Sequence, residues 1–185
     1  MQNSSNNFKQ RFTLESPLIS ARFYLCDLTL SDVTEKYLSW MNDSVVMKFI
    51  ESSSKTKSKN DLINYLTARI NKDTVRFFGI FSRETRQHIG NIKYEPIDFK
   101  NGYAVMGVLI GDKLFRGEAV FGEVYSVSSQ YIVETYGVNK IYAGVDSSNL
   151  SAIRAYEKNG FVIAQSSPIA VSTGGFVLCN SSWLS

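Results

Sequence analysis

Three consecutive strand-like segments in the middle of the chain constrain the fold more than any other feature. Residues 75–82 are apolar and aromatic, and residues 88–94 alternate between apolar and polar side chains. A third segment, residues 103–110, follows after another short polar turn. Neighbouring strands joined by such turns form an antiparallel meander, so the sequence predicts a sheet with an antiparallel centre.

Helix and strand patterns lie on both sides of this meander. Their order is a strand at residues 21–27, helices beginning near Ser31 or Asp32 and near Asn60 or Asp61, the three central strands, a helix over 117–136 that ends at Gly137, a strand at 139–145, a helix over 149–159, and two strands between 161 and 179. This order predicts an α+β fold, with a mixed sheet of about seven strands and helices on both faces.

The length of 185 residues fits one folded domain, and no repeat or linker divides it. We assign residues 1–20 to a polar N-terminal extension and residues 21–185 to a single domain. Neither a secretory signal nor a membrane-spanning run is present, so we expect a cytoplasmic protein without a membrane partner. The net charge of +3 does not favour nucleic acid, and a single histidine does not favour a metal site. A monomer or homodimer is expected.

The helix predicted from Asn149 carries the side chains with the clearest chemistry. Asn149 is a typical N-cap residue, and Tyr156 lies seven positions later on the same helix face. Taken alone, the pattern is explained by a capping asparagine and a packed tyrosine. A tyrosine phenol is also protonated at neutral pH, which makes it a possible general acid.

The segment NLSAIRAYEKNGF at residues 149–161 closely resembles the motif that follows the fifth strand in GNAT N-acetyltransferases. The chain is similar to this superfamily from about residue 21 to 179, in the branch of ribosomal-protein N-terminal and amino-sugar acetyltransferases. The resemblance implies direct transfer of an acetyl group from acetyl-CoA to a primary amine, without a metal. It implies that Asn149 binds the pantetheine arm and that Tyr156 protonates the departing CoA thiolate.

Upstream, the segment RGEAVF resembles the pyrophosphate loop of the same family. Backbone N–H groups at a helix N-terminus bind phosphate where side chains are small. The resemblance assigns cofactor binding to Arg116, Gly117, Glu118, Ala119, Val120 and Phe121. Ala119 and Phe121 depart from the small residues usual there, and the ring of Phe121 adds bulk unless it turns into the core. An ordinary strand-to-helix turn explains the same residues.

In this family the strand before that loop diverges from the next one, and its backbone binds the cofactor arm and polarises the thioester carbonyl. The resemblance places this strand at residues 103–110, with Gly107 as a bulge. Backbone groups of Val108, Leu109 and Ile110 are then expected to bind acetyl-CoA.

The general base is less defined, because Val105 stands where many relatives carry a glutamate. The candidates are Glu95, Asp98 and His88, each acting directly or through a water chain. We select Glu95. Asp98 and Glu95 are equally explained as turn residues, and the histidine as structural.

The N-terminal half shapes the acceptor pocket in this family, and the resemblance places Trp40 and Asn42 near the acceptor. A core anchor and a turn residue are the alternatives. Three lysines in the following loop, Lys55, Lys57 and Lys59, suit the phosphates of a nucleotide-linked amino sugar better than a polycation. A solvated loop explains them equally well, and a protein N-terminus stays open as acceptor.

Two other classes of protein compete with an acetyltransferase. A non-catalytic acyl-CoA-binding module is suggested by Val105 and Phe121. A Cys-His hydrolase requires Cys26 or Cys179 beside His88, and neither cysteine lies in a known nucleophile motif.

Overall fold

One eight-stranded sheet organises the chain, in a computed structural model that describes residues 14–50, 58–171 and 173–182. The strands of that part of the chain are β1 Leu18–Ile19, β2 Phe23–Asp27, β3 Arg76–Ser82, β4 His88–Asp98, β5 Tyr103–Ile110, β6 Lys140–Asp146, β7 Val162–Ile163 and β8 Gly175–Asn180. The α-helices are α1 Glu35–Met41, α2 Ser44–Met47, α3 Lys59–Thr67, α4 Val120–Tyr136 and α5 Leu150–Glu157.

The sheet is mixed, and its strand order is β1-β2-β3-β4-β5-β6-β8-β7. Every pair is antiparallel except β5 and β6, which run parallel. The predicted meander is confirmed as β3, β4 and β5. The sheet has one strand more than the prediction, because Leu18 and Ile19 pair with Leu25 and Tyr24 although we assigned them to the extension.

Helices cover both faces of the sheet, as predicted. On one face, α4 buries a stripe along its length, formed by Val120, Val124, Ser128, Ile132 and Tyr136. This stripe belongs to the larger core cluster, which also contains residues from β2 to β6 and from α5. The opposite face is covered by α1 and α3, whose Trp40, Leu62 and Leu66 belong to a second, smaller cluster.

Local hydrogen bonds set where the helices begin. Helix α1 starts after Thr34, whose hydroxyl accepts a bond of 3.2 Å from the backbone N–H of Tyr37. Asp32, one of the two caps predicted for this helix, instead closes a short 3-10 turn over Leu30–Asp32. Helix α4 begins at Val120 and not at residue 117, because Gly117 and Ala119 have φ of 83° and 55°. Such angles are incompatible with a right-handed helix.

The β4–β5 pairing is irregular at Glu95 and Pro96, and the predicted bulge at Gly107 is wrong. Gly107 pairs in regular register with Lys93. The register shifts between Tyr94 and Ile97, where two residues of β4 oppose one residue of β5. The physical reason is Pro96, which has no N–H to donate to the ladder.

Candidate active site

The central strands β5 and β6 separate after a short stretch of pairing. They pair only from Tyr103 to Val105, opposite residues 140–142, although β5 continues to Ile110 and β6 to Asp146. Within the described residues, the rest of this edge of β5 has no strand partner. A Cβ built on Gly107 would meet nothing within 4 Å, so space is also open over one face of the sheet at this strand. We call the opening between the two strands the wedge.

Several backbone N–H groups are unpaired in the loop that leads from β5 to α4. The N–H groups of Gly117, Ala119, Val120 and Phe121 donate no hydrogen bond to any described residue. The positive φ angles of Gly117 and Ala119 open the chain at this point, and both residues are exposed. Unpaired amides at the N-terminus of a 17-residue helix form an anion-binding site of the kind that holds pyrophosphate.

Arginine side chains hold this loop in place through its carbonyl groups. The guanidinium of Arg116 donates to the carbonyl oxygen of Gly111 at 2.6 Å and to that of Ile110 at 3.3 Å. The same guanidinium lies 3.2 Å from the carboxylate of Asp43. From the other side, Arg22 donates to the carbonyl of Glu118 at 2.7 Å. The Arg116 side chain therefore fixes the loop, while the cofactor role predicted for this residue stays untested.

The ring of Phe121 turns into the core and leaves the loop clear. Its residue is 8% exposed, and its ring centroid lies 5.2 Å from that of Tyr125 and 5.0 Å from that of Tyr156. The aromatic bulk that the sequence places beside the phosphates is thus part of the hydrophobic core. Phe121 contributes only its backbone N–H to the loop.

Helix α5 begins directly after β6, on the other arm of the wedge. Asn149 is its N-cap, as predicted, and accepts a bond of 3.2 Å from the backbone N–H of Ala152 through Oδ1. Its Nδ2 donates to no described residue and is available to a ligand. Asn149 therefore combines a structural role with a free donor group.

Tyr156 lies on α5 within an aromatic cluster and is 6% exposed. Its ring centroid is 5.3 Å from that of Phe161. Burial raises the pKa of Tyr156 to about 12, so the phenol stays protonated at neutral pH. Its hydroxyl bonds to no side chain of the described residues, whereas the hydroxyl of the buried Tyr94 bonds to Ser128. The arrangement is compatible with a general acid.

Glu95 lies in the irregular stretch of β4, next to the point where β5 and β6 separate. Its Oε2 accepts from Lys93 at 2.6 Å and from Arg69 at 2.9 Å. Burial opposes ionisation, but the bonds and charges of Lys93 and Arg69 outweigh it and lower the pKa of Glu95. Glu95 is therefore a weak proton acceptor, and its assignment as the base stays a prediction.

The other two candidate bases have structural partners. Asp98 closes the β4–β5 turn, where it accepts from the backbone N–H groups of Lys100 and Asn101. The Nε2–H of His88 lies 2.9 Å from the carbonyl oxygen of Gly90. Because β4 and β5 are antiparallel, His88 lies near the loop end of the wedge and not where the strands separate.

The two residues predicted to contact the acceptor differ in burial. Trp40 is 5% exposed and packs on Gly111, where an added Cβ would lie 2.0 Å from the indole. This places Trp40 in the core, as the alternative interpretation had it. Asn42 is exposed and ends α1, donating to the carbonyl of Leu38 at 3.2 Å. Lys55 and Lys57 lie outside the described residues.

Sequence reasoning missed three residues near the wedge: Tyr65, Arg69 and Lys93. They surround Glu95 on the face of the sheet covered by α3. The available signal was Lys93 itself, a cation in the middle of a strand whose neighbours Ile92 and Tyr94 are fully buried. A charge at such a position needs a partner or a ligand.

No group of three His, Cys, Asp or Glu side chains in residues 14–50, 58–171 and 173–182 is arranged to hold a metal ion. Among those same residues, no helix is long and apolar enough to cross a membrane.

A strand wedge that ends in free helix N-terminal amides suits an extended ligand that carries phosphate groups, such as an acyl-CoA. The model of the acetyltransferase (GNAT) domain matches residues 22–162, and the chain belongs to this family. The protein is an acetyltransferase whose co-substrate is acetyl-CoA. No curated protein sequence gives a significant match.

Solved structures share the fold at low sequence identity. RimL, a ribosomal L7/L12 alpha-N-protein acetyltransferase solved with coenzyme A, is 14% identical, with a TM-score of 0.76 over 90% of this chain and 98% of its own. Spermidine N-acetyltransferase from Vibrio cholerae, solved with CoA and spermine, is 18% identical, with a TM-score of 0.72 over 86% and 94%. The microcin C7 self-immunity acetyltransferase MccE, solved with acetyl-CoA and AMP, is 12% identical, with a TM-score of 0.74 over 87% and 93%. These likenesses confirm the predicted fold.

Proposed function

We propose that this acetyltransferase acts on the primary amine of a small molecule, such as a nucleotide-linked amino sugar. The observation that carries the transfer chemistry is the wedge, with free amides of the α4 N-terminus at its end and Tyr156 on the adjoining helix. MccE has the same fold and was solved with acetyl-CoA and AMP, which supports a nucleotide as part of the acceptor.

The residues divide the work as follows. Acetyl-CoA supplies an acetyl thioester, and the neutral acceptor amine attacks its carbonyl carbon as the carbon–sulfur bond breaks. Backbone groups of Val108, Leu109 and Ile110 bind the cofactor arm and stabilise the negative charge that develops on the carbonyl oxygen. Asn149 donates its free Nδ2–H to the pantetheine arm. The free amides of Gly117, Ala119, Val120 and Phe121, within the predicted loop at residues 116–121, hold the pyrophosphate.

Two proton transfers accompany the bond changes. Tyr156 gives its proton to the departing thiolate and regains one from solvent. The proton lost by the amine passes to Glu95, directly or through water. Although the pKa of Glu95 is lowered, it can take this proton after the neutral amine has attacked, because the nitrogen is then positively charged and much more acidic than a free ammonium group.

A protein N-terminal amine is the second candidate acceptor, and it is favoured by the fold shared with RimL. The experiment that separates the candidates is a thiol-release assay with acetyl-CoA. The acceptors are nucleotide-linked amino sugars, polyamines, aminoglycosides and N-terminal peptides. Saturable release with an amino sugar, and mass-spectrometric detection of the acetylated product, supports the proposal. Release with peptides alone favours the second candidate, and saturable acetyl-CoA binding without release from any amine indicates a non-catalytic module.

A further inference from the structure

We propose that Arg69 and Lys93 form an anion subsite beside the wedge, which binds a phosphate or carboxylate group carried by the acceptor. The inference rests on the proposed function and specifies the chemistry of its acceptor. It is carried by four side chains on the α3 face of the sheet, Tyr65, Arg69, Lys93 and Glu95, which we call the Lys93 cluster.

The sheet register places this cluster next to the point where β5 and β6 separate. Lys93 of β4 pairs directly with Gly107 of β5, two residues beyond the last β5 residue that pairs with β6. Directly opposite residues point to the same face of a sheet, with Cβ atoms about 5 Å apart where both exist. Because Gly107 has no side chain and the space at its Cβ position is open, Lys93 faces unfilled volume on this side.

Hydrogen bonds hold the two cations in fixed orientations. The Nζ of Lys93 donates to the Tyr65 hydroxyl at 3.0 Å as well as to Glu95. The Nη1 of Arg69 donates to the Tyr65 carbonyl at 3.0 Å, and its guanidinium carbon lies 3.7 Å from the centre of the Tyr65 ring. A preorganised pair of cations loses little side-chain entropy when an anion binds.

The cluster has more charge and more donors than its own acceptor can satisfy. Lys93 and Arg69 both contact the same oxygen of Glu95, so two cations share one carboxylate. The Nη2 group of Arg69 and the remaining N–H of Lys93 donate to no described residue. Both side chains are 24% exposed, so they are partly desolvated and still accessible to a ligand. An anion would satisfy these donors with charge-assisted bonds.

The same balance of charge opposes a polycationic acceptor. The cluster carries one net positive charge, which repels ammonium groups at close range in a partly buried site. A molecule that carries an anion as well as its amine can place the anion on Arg69 and Lys93 and direct the amine toward the wedge. The ligand group expected at the subsite is an anionic oxygen group, which the acceptor could carry as a phosphate or as a carboxylate.

The test is a calorimetric titration of the full chain, saturated with CoA so that the pyrophosphate amides are filled. Inorganic phosphate and acetate are the two probes, one for each source. We expect the wild-type chain to bind at least one of them. Lys93→Met and Arg69→Gln should each weaken that binding roughly ten- to a hundred-fold, because each removes a charge-assisted contact. Lys100→Met is the matched control, since Lys100 is an exposed residue of the β4–β5 turn.

A variant that is expected to strengthen anion binding shows that weaker binding in the other variants is not caused by loss of folding. Glu95→Gln removes the competing carboxylate, and we expect it to tighten binding of the same probe. Thermal unfolding of every variant checks that the fold is kept. Equal binding of phosphate and acetate by wild type and both cation variants, or no binding by a wild type that binds CoA, overturns the subsite. A wild type that fails to bind CoA refutes the proposed function itself.

Discussion

The ring of Phe121 meets the ring of Tyr156 edge-on, with centroids 5.0 Å apart and planes at 68°. Phe121 lies in the first turn of α4, where the amides are free, and Tyr156 lies on α5 beyond the other arm of the wedge. Edge-to-face aromatic pairs have a preferred geometry, so the contact fixes one ring relative to the other. A single packing interaction thus joins the loop that we propose for pyrophosphate binding to the residue that we propose as the acid.

Replacing Tyr156 by phenylalanine tests that acid directly. We expect Tyr156→Phe to lower kcat by about a hundred-fold with little change in the KM for acetyl-CoA, because the ring stays and only the proton donor is lost. The pKa of about 12 also predicts that this residue causes no loss of wild-type kcat up to about pH 10. Thiol release measured across pH checks both, with Tyr24→Phe as control. Unchanged turnover in Tyr156→Phe would remove the residue from this role.

Gly107→Val tests where the reaction takes place. The strand position has room for a Cβ, and valine favours a strand, so we expect the unfolding temperature to be unchanged or raised. The new side chain would occupy the space beside the wedge, and acetyl transfer should fall at least ten-fold. Thermal unfolding and thiol release are measured on the same preparation. Full activity in a well-folded Gly107→Val protein would place the site elsewhere.

Much of this fold was predictable from the sequence because hydrophobic periodicity and end signals agree. Gly137 ends α4 with φ 65°, and Asn149 caps α5, as their residue types predict. The start of α4 was mispredicted because the apolar pattern does not reveal the φ of Ala119, a residue that rarely adopts a positive value. Local patterns say nothing of which side chains meet across strands.

The candidate site likewise contains residues that the sequence could identify and residues that it could not. Asn149 was recognisable because its chemistry is local to the start of α5, and the loop at residues 116–121 because its chemistry is local to the start of α4. The Lys93 cluster was not, since its contacts join Tyr65 of α3 and Arg69, just beyond that helix, to β4 residues 28 and 26 positions away. Such a cluster exists only once the sheet register and the helix position are known. Trp40 was ambiguous for the related reason that burial depends on tertiary packing.

The left-handed backbone at Ala119 predicts a stabilising substitution. Its φ of 55° is a conformation that alanine adopts at a cost and glycine adopts freely. We expect Ala119→Gly to raise the free energy of unfolding by about 0.5–1 kcal/mol and to leave acetyl-CoA affinity equal or tighter, because the loop amides are retained. Ala155→Gly, inside α5, is the matched control and should lower stability by about 1 kcal/mol. Denaturant titration measures both, and a loss of stability in Ala119→Gly would contradict the assigned backbone.

The sole histidine, His88, predicts how stability depends on pH. Its ring stacks on Phe81 with centroids 4.9 Å apart, and its buried Nδ1 bonds to no described residue. Burial, opposed by the Asn91 hydrogen bond, lowers the pKa of His88 below its ordinary value of 6.5. The unfolded chain then binds the proton more readily than the folded one, so the free energy of unfolding should decrease as pH falls through about 6.5 toward the folded-state pKa.

Denaturant titrations between about pH 7.5 and 6 measure this slope, because ordinary carboxyl groups do not titrate in that range. His88→Phe keeps an aromatic ring and should flatten the slope whatever its absolute stability, and an NMR titration of the single imidazole should give a midpoint below 6.5. A midpoint above that value would mean that folding favours the charged ring and that its packing differs from the one described.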